Sequence, residues 1–159
     1  MKKYEFTGET KEIRLLFRTA TLHRIRATVA FGIVEVGDLG GWIEKEENLS
    51  HEGKAWVWGN AKVCGDAEVC GDAEVFSASH VLVIGAIGSR NDFTTFYRDK
   101  DNEITVKCGC FLGKIDRFLE KVTQTHGDSK YALVYRAAVE VAKLQIDLSG
   151  EAPKDADEE

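Results

Sequence analysis

Between Ala55 and Ala78 the apolar and polar positions recur every six residues: AWVWGN, AKVCGD, AEVCGD and AEVFSA stand in phase. An aliphatic column runs through Val57, Val63, Val69, Val75, Val81 and Ile87, and the residue two places earlier is always small: Ala55, Ala61, Ala67, Ala73, Ser79 and Gly85. Alternation puts the small and the aliphatic side chain of each hexad on one face of a short strand. Gly59-Asn60, Gly65-Asp66 and Gly71-Asp72 place turn residues between strands. Each hexad therefore predicts one strand and one corner. Ile43 and Leu49 continue the small-residue column toward the N-terminus with larger apolar groups, as a terminal repeat would.

The pattern changes on either side. Leu15 to Arg18 and Leu22 to Val29 alternate as strands, with Arg24 and Arg26 on one face. Phe93 to Arg98 and Ile104 to Cys110 flank Asp99-Lys100-Asp101-Asn102-Glu103 and predict a hairpin. Ile115, Phe118, Leu119 and Val122 then follow helical spacing, closed by Gly127, with Asp128 or Ser129 capping a second helix. That second helix carries Tyr131, Val134, Tyr135, Ala138, Ala142 and Ile146 on one stripe. The chain divides into an N-terminal β segment (1–42), the repeat (43–90), a β-hairpin (91–110), a helical hairpin (111–149) and an acidic tail (150–159) expected to be disordered.

The hexads resemble those of hexapeptide-repeat proteins, and the resemblance implies a left-handed parallel β-helix with about 18 residues per triangular coil, here two to three coils. LHRIRATVAFG, GDLGGWIEKEENLSHEG, IGSRNDFTTFYR, CGCFLGKIDRFLEKV and THGDSKYALVYRAAVEVAK extend the likeness to phage and prophage proteins of this type, described as polymer-forming or acyltransferase-like. It supports the β-helix and implies a viral or prophage origin, and it transfers no activity; with the helices read from spacing, the expected fold is mainly β with C-terminal helices. So few coils need covered ends. Trp58, Cys64, Cys70, Phe76 and Leu82 form an outward apolar column, with Trp58 under Phe76 on the coil spacing. Such a column packs either on the chain's own flanking segments or on another subunit of a homo-oligomer, a trimer or dimer, through Trp58, Phe76 and Leu82.

The 159 residues, 43% apolar and 30% charged, suffice for an ordinary domain core. The net charge of −6 is uneven: residues 151–159 contribute −4, residues 1–26 sum to +4 and residues 27–150 to −6. Binding of bulk nucleic acid is disfavoured, since that needs a basic domain or stripe, whereas a small anion needs only a few placed arginines. No apolar run reaches the roughly 18 residues that span a bilayer, and the first residues lead into polar sequence instead of a signal core, so the expectation is a protein of the bacterial host's cytoplasm. The four cysteines then read as reduced thiols.

Candidate chemistry is sparse. Acyl-CoA-dependent hexapeptide enzymes use a histidine base, and His23, His51, His80 and His126 are the histidines on offer, with His51 and His80 falling among the hexads. Cys108-Gly109-Cys110 lacks a second ligand pair for zinc, no Gly-rich phosphate loop is present, and no metal or cofactor is expected. Arginine forks beside hydroxyls can hold phosphate or carboxylate without a base. That points to Arg90, Asn91 and Arg98, with Arg24, Arg26 and Trp42 as secondary candidates. The expected function is a non-catalytic oligomeric binder that counters host antiviral defence, by sequestering a small nucleotide signal or by docking on a host defence protein. An acyltransferase and a structural phage component are the alternatives.

Overall fold

The computed structural model describes residues 2–149; the tail expected to be disordered lies outside them. Ten strands and two α-helices follow one another as β1 (Tyr4–Arg14), β2 (Thr19–Ala27), β3 (Leu39–Ile43), β4 (Trp56–Val57), β5 (Lys62–Val63), β6 (Glu74–Val75), β7 (Val81–Ile87), β8 (Asp92–Arg98), β9 (Ile104–Cys108), β10 (Phe111–Lys114), α1 (Ile115–His126) and α2 (Lys130–Gln145). The strands make three small sheets, ordered β1-β2-β3-β5, β10-β9-β8-β7 and β4-β6.

This corrects the expected fold: the chain does not form a left-handed parallel β-helix of two to three coils, and its sheets are mostly antiparallel. Parallel pairing is confined to β3 with β5, β4 with β6 and the Leu49–Val69 bridge. Two physical reasons stand out. The Gly-Asn and Gly-Asp corners end at Asp72, where Gly59, Gly65 and Gly71 have used φ of +57°, +63° and +64° to turn the chain. Beyond them Ser79, Val81, Gly85 and Ile87 keep the six-residue spacing without a corner, and β7 runs on for seven residues to pair antiparallel with β8. On the other side β2 pairs antiparallel with β3. Leu15 to Arg18, expected as strand, is the turn joining β1 to β2.

The hexads nevertheless face inward as their alternation requires. Ala55, Val57, Ala61, Val63, Ala67, Val69, Ala73 and Val75 are all buried and share a first core with Ile25, Ile43 and Leu49. Asn48 ties its layers: its Oδ1 accepts the Glu44 and Lys45 N–H groups, and its Nδ2 donates to the Gly65 and Ala67 carbonyls at 3.0 and 2.9 Å. Trp56, wholly buried, is capped by Phe31 and Tyr4. A second core joins the meander to the helices through Phe96, Val106, Phe118, Val122, Tyr135 and Val139. Gly127, at φ +58°, ends α1 and returns its N–H to the Thr123 carbonyl. Asp99 organises the β8–β9 turn, accepting the Asp101 and Glu103 N–H groups, the Thr105 hydroxyl and the Lys114 ammonium.

Candidate functional site

An antiparallel meander places alternate turns at the same end. The β7–β8 turn, Gly88 to Asn91, and the β9–β10 turn around Gly109 therefore meet, and the C-terminal half of α1 and Tyr135 of α2 close over them. The result is a cleft of about 280 Å³ lined by Ser89, Arg90, Asp92, the Cys108–Phe111 turn, Phe118, Lys121, Val122, Thr125, His126 and Tyr135.

Aromatic packing builds the cleft's inner wall. Phe118 meets Phe111 at 5.4 Å and Tyr135 edge-on at 5.6 Å, and His126 stacks on Tyr135 at 5.7 Å. Gly88 permits this approach: at φ +79° it carries no Cβ, and one placed there would lie 1.9 Å from the Tyr135 hydroxyl. Burial, the Cys108 thiol and the Asp92 carboxylate push the Tyr135 hydroxyl up to about 12, with Arg90 opposing them. Tyr135 is thus a neutral donor at physiological pH. Thr94 donates to the Cys108 sulfur at 3.4 Å, which leaves Cys110, at the exposed tip of the turn, as the more accessible thiol. The charged groups of the lining are the cations Arg90 and Lys121 against the anion Asp92, with His126 beside them.

The six residues singled out for ligand binding separate into three places. Arg90 is exposed on the cleft lining, and Asn91, at φ +50°, shapes the adjoining turn, its N–H bonding the Gly88 carbonyl. Arg98 lies at the opposite end of β8, roughly 20 Å away at 3.3–3.4 Å per residue. There its guanidinium bonds Asn102 and Glu74 and covers the Phe76 ring at 5.2 Å. Arg24, Arg26 and Trp42 belong to the N-terminal sheet. Arg26 pairs with Glu5 at 2.6 Å, Arg24 bonds the Gly40 carbonyl, and Trp42 is 4% exposed beneath Lys11 and Arg24.

The residues considered for an interface are largely met by their own chain. Trp58 stacks on Phe76 at 4.5 Å, Phe76 is buried beside His80 and Arg98, and Leu82 packs against the second core. Three histidines sit outside the cleft. His51 accepts the Lys3 N–H and stacks on Tyr4, with burial depressing its pKa; His80 accepts the Phe76 N–H; His23 stacks on Phe6. His126 lines the same cleft as the Cys108-Gly109-Cys110 turn, but among the described residues no group of three His, Cys, Asp or Glu side chains could hold a metal ion.

Lys121, Tyr135 and the grouping of His126 with the thiols escaped the sequence reading. The signal was hairpin arithmetic: with β7 read as the first strand of a meander, residues 88–91 and 109 fall at one end and Arg98 at the other. No family model matches the chain, and no curated protein matches it. Among the described residues no helix is long and apolar enough to cross a membrane.

Proposed function

We propose that the cleft retains a small anionic ligand, of mononucleotide size or less, without turning it over. The observation that carries this reading is the meeting of Arg90, Lys121 and His126 around an aromatic wall that includes the neutral Tyr135 hydroxyl. Cations for a phosphate or carboxylate, a donor and flat apolar surface for the ligand body are the usual make-up of a small-ligand site. At about 280 Å³ the cleft is slightly smaller than the roughly 300–1,000 Å³ of such sites, which favours a compact ligand. The wider role proposed for such a site is sequestration of a nucleotide signal used by a host defence system. Acyl transfer through His51 or His80 has less support, because a backbone N–H already occupies one ring nitrogen of each.

Titration calorimetry against inorganic phosphate and a panel of linear and cyclic nucleotides tests the proposal. One ligand should bind, and Arg90→Ala and Lys121→Ala should each weaken it about tenfold, the weight of one charge-assisted contact. Equal affinity in both variants would overturn the site. Loss of binding only in Arg24→Ala would move it to the N-terminal sheet.

A further inference from the structure

The N-terminal sheet gathers cations on the face turned away from the first core. Ile25, Ile43 and Val63 point into that core, so Arg24, Trp42 and Lys62, one place earlier on β2, β3 and β5, form a cross-strand row on the opposite face. Lys11 of β1 joins them, since it pairs with Leu22, two residues before Arg24. β3 lies between β2 and β5, about 4.8 Å from each, which makes the Trp42 indole the floor of the group. Lys11 Nζ stands 4.1 Å from the ring centroid and the Arg24 guanidinium 5.5 Å, with Arg24 Nε donating to the Gly40 carbonyl at 3.2 Å. Lys62 is exposed beside them. Burial, then the like charges of Lys62 and Arg24, hold Lys11 below its ordinary range against the pull of Glu9. Trp42 is 4% exposed, and among the described residues its buried Nε1–H has no acceptor. Trp56 shares that condition, but wholly enclosed in the first core. Like charges collected over an unused donor are what an oxyanion would offset and satisfy together.

We infer that this face binds a phosphate group, as the free ion or as a monoester, at a site separate from the cleft. Lys11, Arg24 and Lys62 supply the charge, and the Trp42 Nε1–H supplies one directed hydrogen bond. Lys11, on its flexible stem, swings off the ring to admit the anion. Three cations match a phosphate dianion better than a single carboxylate. The neighbouring charges are already matched: Arg26 pairs with Glu5 at 2.6 Å, and Glu44, two residues beyond Trp42, is held by Arg18 and the Gly65 N–H.

The indole N–H resonances of the three tryptophans read the outcome in a proton–nitrogen correlation spectrum, with Trp42 assigned as the signal missing from Trp42→Phe. The cleft is lined by no tryptophan, so the Trp42 signal reports this face alone, and Arg90→Ala with Lys121→Ala should leave its response unchanged. Titration with inorganic phosphate, and separately with glycerol 3-phosphate, should move it downfield, as an N–H moves on gaining an acceptor. Lys11→Gln and Lys62→Gln should each raise the dissociation constant about tenfold, the weight of one charge-assisted contact. A tighter response to the ester would mark the ligand as an organic phosphate and an equal one would mark the phosphate group alone; both uphold the site. A Trp42 signal unmoved at about 20 mM of either probe, where even a weak contact shows, would overturn the inference. So would an equal shift with chloride at matched ionic strength, or wild-type affinity in both glutamine variants.

Discussion

The two cores are built from different materials. The first, under the hexads, stacks alanine and valine at six-residue spacing beside Tyr4, Trp56 and Tyr97, and its layers are held in register by backbone pairing and by Asn48. The second is filled by Phe96, Phe118, Tyr135 and aliphatic residues from two helices lying on a meander. In the first core short strands stack layer on layer through backbone pairing, whereas in the second two helices settle on a meander and leave a cleft at one end. The candidate site accordingly belongs to the second core, and the first has the character of a scaffold.

That contrast makes the first core the less forgiving of the two. Val69 is 1% exposed and lies between the Leu49 and hexad layers, so Val69→Asp buries a carboxylate with no partner. The cost, several kcal/mol for the ion and more for the lost packing, is comparable to the whole reserve of a domain of this size, about 5–15 kcal/mol. Circular dichroism on heating should show no cooperative transition. A native melting curve would mean that the hexads do not pack inward.

Asn48→Ala should come next. Its amide makes four hydrogen bonds to backbone groups on two layers, and its removal strands the Gly65 and Ala67 carbonyls in a buried setting. A loss on the order of 3 kcal/mol is expected from chemical denaturation. A loss below about 1 kcal/mol would show that the layers are held by apolar contact and strand pairing without the amide, and the contrast between the cores would then be one of architecture only.

Sequence legibility follows the same division. Inward and outward positions of the hexads, the β8–β9 hairpin, both helices and the Gly127 stop can be read from spacing, because each depends on local periodicity or on one backbone conformation. The architecture could not be read that way. Alternation is the same in parallel and antiparallel strands, so the six-residue rhythm of Ser79 to Ile87 carried the repeat past its last corner and suggested a parallel β-helix where a meander begins. The site was legible in part. Arg90 stood out as a cation in a polar loop, but Arg98 shares that loop's strand and serves the far end of it. Tyr135 and Lys121 looked like ordinary helix residues, and their place at the cleft depends on how α1 and α2 settle on the sheet.

The smallest expected effect lies at the edge of the first core and depends on pH. Arg18 grips Glu44 through both carboxylate oxygens at 2.6 and 3.0 Å, and the Gly65 N–H donates to the same carboxylate at 2.7 Å. The Arg18 guanidinium, chiefly, holds Glu44 down to about 2 from an ordinary 4.5. The folded state therefore binds its proton more weakly than the unfolded chain does. Glu44 adds stability that is fully present above pH 4.5 and is lost as pH falls toward 2. Arg18 is about half exposed, so solvent screening keeps the contribution modest. Glu44→Gln should lower the melting temperature by a few degrees at pH 7. Between pH 4.5 and 2 the difference from the wild type should shrink steadily. The corresponding test on the second core is Lys114, which the carboxylates of Asp99, Asp101 and Glu103 surround at 2.9 to 3.2 Å on an open turn. If removing Lys114 cost as much as removing Glu44 and with the same pH course, the ion pair beside the hexads would have no special part in holding the first core's layers together.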